Sequence, residues 1–273
     1  MYPLIDVGPF TVASFPALLF AAFLLGSVLG TRQARFLGLE QSIVWNLLPW
    51  VAVAALAGAQ LYSIALIISR DGASLSQAVA ARGQVFYGGL IAGLLVAAWR
   101  FRRMALPLHW MLDYGAPCIA IAHAVGRVGC LLAGDDYGVA SDAPWAVAFP
   151  QGAPPSTAGY LRDMGDDVPA SIPDDAVVSV HPVQLYESAA LLAIGMVLWR
   201  ASRRPHAPFT VFAMYLIAYG TWRFGIEFLR PKNDHMVAGL TSAQLLSVTF
   251  VIVGTAILAR ARAASAVKAA KLH

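Results

Sequence analysis

The sequence predicts an all-α integral membrane protein. The expected architecture is seven transmembrane helices, N-terminus outside and C-terminus cytoplasmic, with a small extracytoplasmic head. Three observations carry this expectation. First, 59% of the 273 residues are hydrophobic and only 12% are charged, about half the charge of a soluble domain. Second, mean hydropathy is +0.65, and the apolar residues gather into segments of membrane-spanning length. Third, basic and acidic residues fall on opposite sides of those segments. The composition excludes a cytosolic enzyme, a disordered chain and a secreted disulfide scaffold. The net charge of +4 is too small to point to nucleic acid, and two cysteines make neither a disulfide framework nor a zinc site.

Taken in order, the apolar segments are about 12–31, 43–69, 84–99, 105–125, 184–200, 208–228 and 242–260. The first precedes any basic residue, Arg32 being the earliest, so it reads as a retained span rather than a cleaved leader. Arg32 and Arg35 follow the first span, Arg100, Arg102 and Arg103 the third, and Arg200, Arg203 and Arg204 the fifth. Arg260, Arg262, Lys268 and Lys271 follow the seventh. These are 12 of the 19 basic residues, all after odd-numbered spans, which places those loops in the cytoplasm. Between Ala133 and Pro182 lie eight Asp, one Arg and no Lys. This segment, 133–182, is the one long loop. It is rich in Pro, Gly, Ser and Asp and reads as the extracytoplasmic head inserted between spans four and five of a single membrane domain, 1–273. No internal repeat appears, which argues against a transporter built of inverted halves.

Ionisable and glycine-rich clusters at membrane depth are the candidate sites. In Phe86-Tyr87-Gly88-Gly89 and on to Gly93, the glycines allow close approach of either a neighbouring helix or a ligand. In Gly126-Arg127-Val128-Gly129-Cys130, running on to Gly134-Asp135-Asp136-Tyr137-Gly138, Arg127 is either a snorkelling arginine or one given room to grip phosphate. His181-Pro182-Val183-Gln184-Leu185-Tyr186-Glu187 opens the fifth span with hydrogen-bonding groups, His181 being either a structural donor or a functional one. In Arg223-Phe224-Gly225-Ile226-Glu227, with Arg230 a turn later, Arg223 and Glu227 share a helix face. They either neutralise one another or serve a site. Two arginines at the outer ends of different spans, each with carboxylates nearby, suit an anionic phospholipid headgroup.

These motifs, with Gly8-Pro9 before the first span, resemble the bacterial prolipoprotein diacylglyceryl transferase family over nearly the whole chain. Tyr87-Gly88-Gly89-Leu90-Ile91 is similar to the family's His-Gly-Gly-Leu-Ile. Residues 126–138 are similar to its signature Gly-Arg-x-Gly-Asn-Phe-x-Asn-x-Glu-x-x-Gly. Residues 181–187 are similar to His-Pro-x-Gln-Leu-Tyr-Glu, and Arg223-Phe224-x-x-Glu227-Phe228-x-Arg230 closes the set. The resemblance implies a multi-pass enzyme of the bacterial cytoplasmic membrane. It would move the diacylglyceryl group of phosphatidylglycerol onto the thiol of a lipobox cysteine in a preprolipoprotein, releasing glycerol phosphate with no cofactor or metal. On that reading Arg127, Arg223, Glu227, Tyr87, Asp135 and His181 are the catalytic candidates. Gly88, Gly89, Gly126, Gly129, Gly138, Gln184, Tyr186, Glu187 and Arg230 are the substrate-binding ones.

The departures open two alternatives. Tyr87 stands where the family has histidine, and its hydroxyl, with an ordinary pKa near 10, is a poorer base than imidazole. Cys130 and Ala133 replace the two signature asparagines, Asp135 is one methylene shorter than the family's glutamate, and Ala13-Ser14-Phe15-Pro16 stands for Arg-Trp-Tyr-Gly. The parts facing phosphate are kept while other polar parts change. That pattern also fits a divergent paralogue serving a non-lipoprotein acceptor, or a non-catalytic lipid-binding protein.

Overall fold

The computed structural model describes residues 4–7, 10–80, 86–231, 235–237 and 239–270. The chain divides into two compact units, Met1–Gly26 with Asp113–His273, and Ser27–Leu112. Gly8-Pro9 of the family-like pattern lies outside the described residues.

In the unit Ser27–Leu112, helix α1 (Ser14–Phe36) ends in a glycine cap. Gly38 adopts φ 70°, its N–H donates to Arg35 O, and Leu39 N–H donates to Ala34 O. The last carbonyls are thus satisfied at the one residue type that takes a left-handed φ without cost. Helix α2 (Ser42–Asp71) follows and stops at Gly72 in the same conformation. The short α3 (Leu75–Ala80) starts from a capping box: Ser74 N–H donates to Gln77 Oε1 at 2.9 Å, and Gln77 N–H to Ser74 Oγ at 3.4 Å. Helix α4 (Phe86–Arg103) packs along α2 through small residues. A Cβ on Gly58 would lie 2.5 Å from Gly88 O, and one on Gly89 would lie 2.8 Å from Ala55 O. The glycines of the first cluster therefore serve close helix approach within this unit, as small residues do in membranes.

In the other unit, β1 (Leu4–Val7) and β2 (Phe10–Ala13) pair antiparallel, Leu4 opposite Ala13, and lead into α1. Pro16 sits in the first turn of α1, where its missing N–H has no partner to lose. Helix α5 (Leu108–Ala133) is followed by the head, then α7 (Val183–Ser202), α8 (Thr210–Ile226), a 3-10 turn (Glu227–Leu229) and α9 (Ser242–Ala270). The strands β5 (His235–Val237) and β6 (Leu240–Thr241) pair before α9. Asp113, fully buried, accepts from Phe209 N–H at 2.7 Å and Phe212 N–H at 2.9 Å. It caps α8 from a different helix, as an anion at a helix N-terminus should.

The head is folded around its own core. Strands β3 (Val147–Ala148) and β4 (Ser179–Val180) pair antiparallel, and α6 (Ala158–Asp163) lies between them in sequence. Phe149, Leu161 and Val180 are fully buried, and Tyr137 stacks on Phe149 with ring centroids 5.2 Å apart. Buried Ser156 Oγ accepts from Phe149 N–H and donates to Val178 O, which joins two loop strands by one hydroxyl. Arg162 donates to the carbonyls of Pro169 and Ile172 and pairs with Asp174. A segment dominated by turn formers is thus ordered by a few apolar side chains and by side-chain bonds to its backbone.

A helix covers most of each of the seven apolar segments, with 84–85 outside the described residues and α5 and α8 starting at Leu108 and Thr210. Among the described residues, four are long and apolar enough to cross a membrane: Ser14–Phe36, Ser42–Ser69, Leu108–Ala133 and Ser242–Ala264. The other three are shorter or more polar. α4 reaches 18 residues by including Arg100, Arg102 and Arg103, α8 has 17 residues, and α7, from Val183, carries Gln184 and Glu187 in its first two turns. Replacing Gly58 with leucine should cost roughly 1–3 kcal/mol by overpacking the α2–α4 contact. A thermal melt of the purified protein measures this, and an unchanged transition would show the contact to be slack.

Candidate active site

The candidate site forms where α5 ends, α7 begins and α8 passes into its 3-10 turn. Arg127 lies six residues before the end of α5, about 9 Å along the axis at 1.5 Å per residue. Helix α5 terminates at Gly134, φ 70°, with Gly134 N–H donating to Leu131 O and Asp135 N–H to Cys130 O. This glycine cap reverses the chain. Asp136, itself at φ 57°, then reaches back over the helix end. Aspartate tolerates the left-handed region better than most residues.

Glu187, in the second turn of α7, faces three arginines. Its Oε2 lies 2.5 Å from Arg127 Nη2 and 3.8 Å from Arg230 Nη1, and its Oε1 lies 4.0 Å from Arg223 Nε. Arg223 Nη1 donates to Glu227 Oε2 at 2.6 Å, the i,i+4 pair expected on one face of α8. Glu227 Oε1 accepts from Thr241 Oγ1 at 2.9 Å. Thr241 in turn caps α9: its N–H donates to Gln244 Oε1, and its hydroxyl accepts from Gln244 N–H. Asp136 bridges the other two arginines, accepting from Arg127 Nη1 at 3.0 Å and from Arg230 Nη2. Three guanidiniums therefore face three carboxylates. The Glu187 side chain is only 3% exposed and that of Arg127 8%. Burying either partner alone would be prohibitive, and mutual pairing is what makes the cluster tolerable.

The remaining expected residues divide by role. Gln184 is buried and donates to Asp135 O at 2.6 Å, pinning the turn after α5. Burial raises the Asp135 carboxyl above the ordinary carboxylate range, a hydrogen bond with Cys130 opposing the rise and Asp136 adding to it. His181 Nδ1 lies 3.2 Å from Tyr186 Oη, which also accepts from Trp145 Nε1 at 2.7 Å. Gly138 permits a backbone crossing, since its Cβ would lie 2.6 Å from Leu229 O and 2.8 Å from His181 Cβ. Gly129 lets α1 close on α5 at Leu18 and Phe15, whereas a Cβ on Gly126 would meet open space beside Arg127. Gly88, Gly89 and Tyr87 lie on α4, in the other unit. The Tyr87 side chain is outside the described residues. Cys130, Asp135 and Asp136 bring three potential ligand atoms within 4.8 Å of one another. Arg127 already donates to Cys130 and Asp136, so a cation there would face a guanidinium.

Two residues of the cluster were not among the expected ones. Asp136 stood in the quoted motif, but nothing marked it apart from Asp135 until the glycine cap set their directions. Thr241 was detectable as the first residue of Thr-x-x-Gln before an apolar run, a capping-box signature. Its bond to Glu227 spans 14 positions and leaves no local signal.

Fold and site together define a helical, multi-pass membrane protein that buries a neutralised cluster of arginines and carboxylates at its helix ends. The chain matches the family model for prolipoprotein diacylglyceryl transferase over residues 3–260. It is 36% identical over 186 residues to the phosphatidylglycerol–prolipoprotein diacylglyceryl transferase of Xylella fastidiosa (strain 9a5c), covering 63% of this chain and 61% of that one. It is 33% identical over 195 residues to the protein of the same name from Xanthomonas oryzae pv. oryzae (strain PXO99A), with 67% and 62% covered. Against that of Azoarcus sp. (strain BH72) it is 31% identical over 278 residues, with 96% and 95% covered. In the first two comparisons the chain spans about three fifths of the relative's length. The chain belongs to the prolipoprotein diacylglyceryl transferase family.

Glu187→Gln should leave three arginines facing two carboxylates and cost about 3–5 kcal/mol, the usual penalty for breaking a buried pair. Inorganic phosphate should restore part of the loss in a thermal melt. A Glu187→Gln protein as stable as wild type would show that the cluster is hydrated and loosely held.

Proposed function

We propose that this protein transfers the diacylglyceryl group of phosphatidylglycerol to the lipobox cysteine thiol of a preprolipoprotein, in the bacterial inner membrane. The observation that carries the reading is the cluster of Arg127, Arg223 and Arg230 against buried Glu187 and Glu227 and the more exposed Asp136, in a chain of this family. The thiol sulfur attacks C3 of the diacylglyceryl group, the C–O bond to phosphate breaks, and the electron pair leaves with glycerol phosphate. The thiol proton passes to a base, for which Asp135, His181 and Tyr87 are the candidates. Arg127 and Arg223 stabilise the charge that grows on the departing phosphate, a contribution of several kcal/mol in a dry site. Glu227 holds Arg223, and Glu187 holds all three guanidiniums. Gly126 leaves room beside Arg127.

The same reading places seven spans in the bilayer, N-terminus outside and C-terminus inside, with the head 133–182 on the outer face of a single membrane domain. No nucleic acid is involved. One observation favours a second reading, transfer to a different acceptor: Arg127 Nη1 donates to Cys130 Sγ at 3.4 Å, a weak acceptor where the family has an amide side chain.

Transfer of labelled diacylglyceryl from phosphatidylglycerol to a lipobox peptide tests the assignment. Arg127→Lys should retain less than about a tenth of the rate, because one ammonium cannot reproduce a forked grip. A variant keeping more would leave Arg127 only its structural ion pair with Glu187. Tyr87→His should preserve or raise transfer and Tyr87→Phe should lose it. An active wild type with an equally active Tyr87→Phe would remove Tyr87 as base, and an inactive wild type would shift the reading to another acceptor.

Asp135 predicts a pH dependence. As base it must be ionised, and its carboxyl is raised by burial, so the rate should fall with decreasing pH through a midpoint above the ordinary carboxylate range. Asp135→Asn should abolish that limb. A wild-type profile flat on the acid side would exclude Asp135 as the base.

A further inference from the structure

The cluster is neutral as it stands, so a phosphodiester entering it adds one negative charge that nothing present balances. Binding therefore requires one of the three carboxylates to withdraw. Glu187 is held by three arginines and is 3% exposed, and Glu227 is 1% exposed and bonded to Thr241. Neither can leave without vacating a buried position. Asp136 differs in each respect. Its side chain is 49% exposed, and it stands on the turn just outside α5 at a left-handed φ of 57°. Its bonds to the two arginines are made by separate oxygens, Oδ2 to Arg127 and Oδ1 to Arg230.

That geometry is the one a phosphate would use. Carboxylate and phosphate both offer a pair of oxygens to guanidinium forks. In addition, Arg127 Nε is buried with no hydrogen-bond partner among the described residues, so the seat holds a donor that Asp136 leaves unused. We infer that Asp136 is an internal stand-in for phosphate, seated between Arg127 and Arg230, and that the phosphate of the incoming phospholipid displaces it. This rests on the proposed function and adds a positioning residue to it. Exchange of one anion for another keeps the buried charge balanced throughout. The returning Asp136 carboxylate then competes with the product phosphate and speeds its release.

The test titrates phosphatidylglycerol into the full-length protein held in phosphatidylcholine nanodiscs, and separately titrates soluble glycerol phosphate, for wild type, Asp136→Asn and Asp136→Glu. Asparagine accepts the left-handed backbone as readily as aspartate, so Asp136→Asn removes the charge without disturbing the turn. It should bind one or both ligands about tenfold more tightly, equivalent to about 1.4 kcal/mol. Asp136→Glu, which keeps the charge, should stay near wild type. In the transfer assay Asp136→Asn should lower KM for phosphatidylglycerol and strengthen inhibition by glycerol phosphate. Tightening for the lipid alone assigns the seat to the donor, and tightening for glycerol phosphate alone assigns it to the product. Both outcomes support the stand-in. Unchanged or weaker binding of both ligands by a folded Asp136→Asn protein overturns it. The two readings fail separately. Tightened binding without transfer to a lipobox peptide would overturn the transferase assignment alone, and transfer with unchanged binding would overturn the role of Asp136 alone.

Discussion

The pairing of Glu187 with Arg127, 2.5 Å apart and almost wholly buried, is the constraint on which the rest of the site depends. An arginine set about 9 Å inside the end of an apolar helix is tolerable only with a counter-charge at contact distance. Glu187 supplies that from α7 and reaches Arg223 and Arg230 from the same two oxygens. It thereby ties the ends of α5, α7 and α8 together. The ends of these helices are shaped to keep it there. Gly134 turns the chain after α5, Gln184 pins Asp135 O, and Gly138 lets the chain entering the head pass close to His181 and Leu229.

This arrangement reconciles two demands that conflict in a membrane enzyme. A site that stabilises a departing phosphate needs several positive charges in a dry environment, yet such charges alone would destabilise the fold. Matching each guanidinium to a carboxylate removes the penalty while keeping the guanidiniums in place. It also frames the proposed chemistry, in which an incoming phosphate exchanges with the Asp136 carboxylate.

The helical, multi-pass class was legible because the length of apolar segments is a property of composition along the chain, independent of distant contacts. All seven apolar segments became helices, and α4, α7 and α8 differ from the other four in length or polarity for reasons visible in their residues. The arginines and Glu227 were legible because ionisable groups at membrane depth are rare. The order within 133–182 was not, since its core depends on Phe149, Leu161 and Val180 meeting across many positions. The separation of Asp135 from Asp136 was likewise hidden. Two adjacent carboxylates look alike in sequence, and only the left-handed turn at Gly134 and Asp136 leaves one beside Cys130 and sends the other to the arginines. The glycines before Leu90 carried two readings, and their approach to Gly58 and Ala55 shows the helix-packing one at work.

The central claim is that the guanidinium of Arg127 grips the phosphate of the lipid donor. Solid-state dipolar recoupling between the phosphorus of phosphatidylglycerol and 15N-labelled arginine side chains measures that distance in a bilayer. The account predicts a phosphorus–nitrogen separation of about 4 Å, set by a charge-assisted N–H···O bond, and clearly weaker dephasing in the Arg127→Lys protein, where Arg223 and Arg230 alone remain. Dephasing that is absent in the wild type, or that persists unchanged in Arg127→Lys, would contradict it.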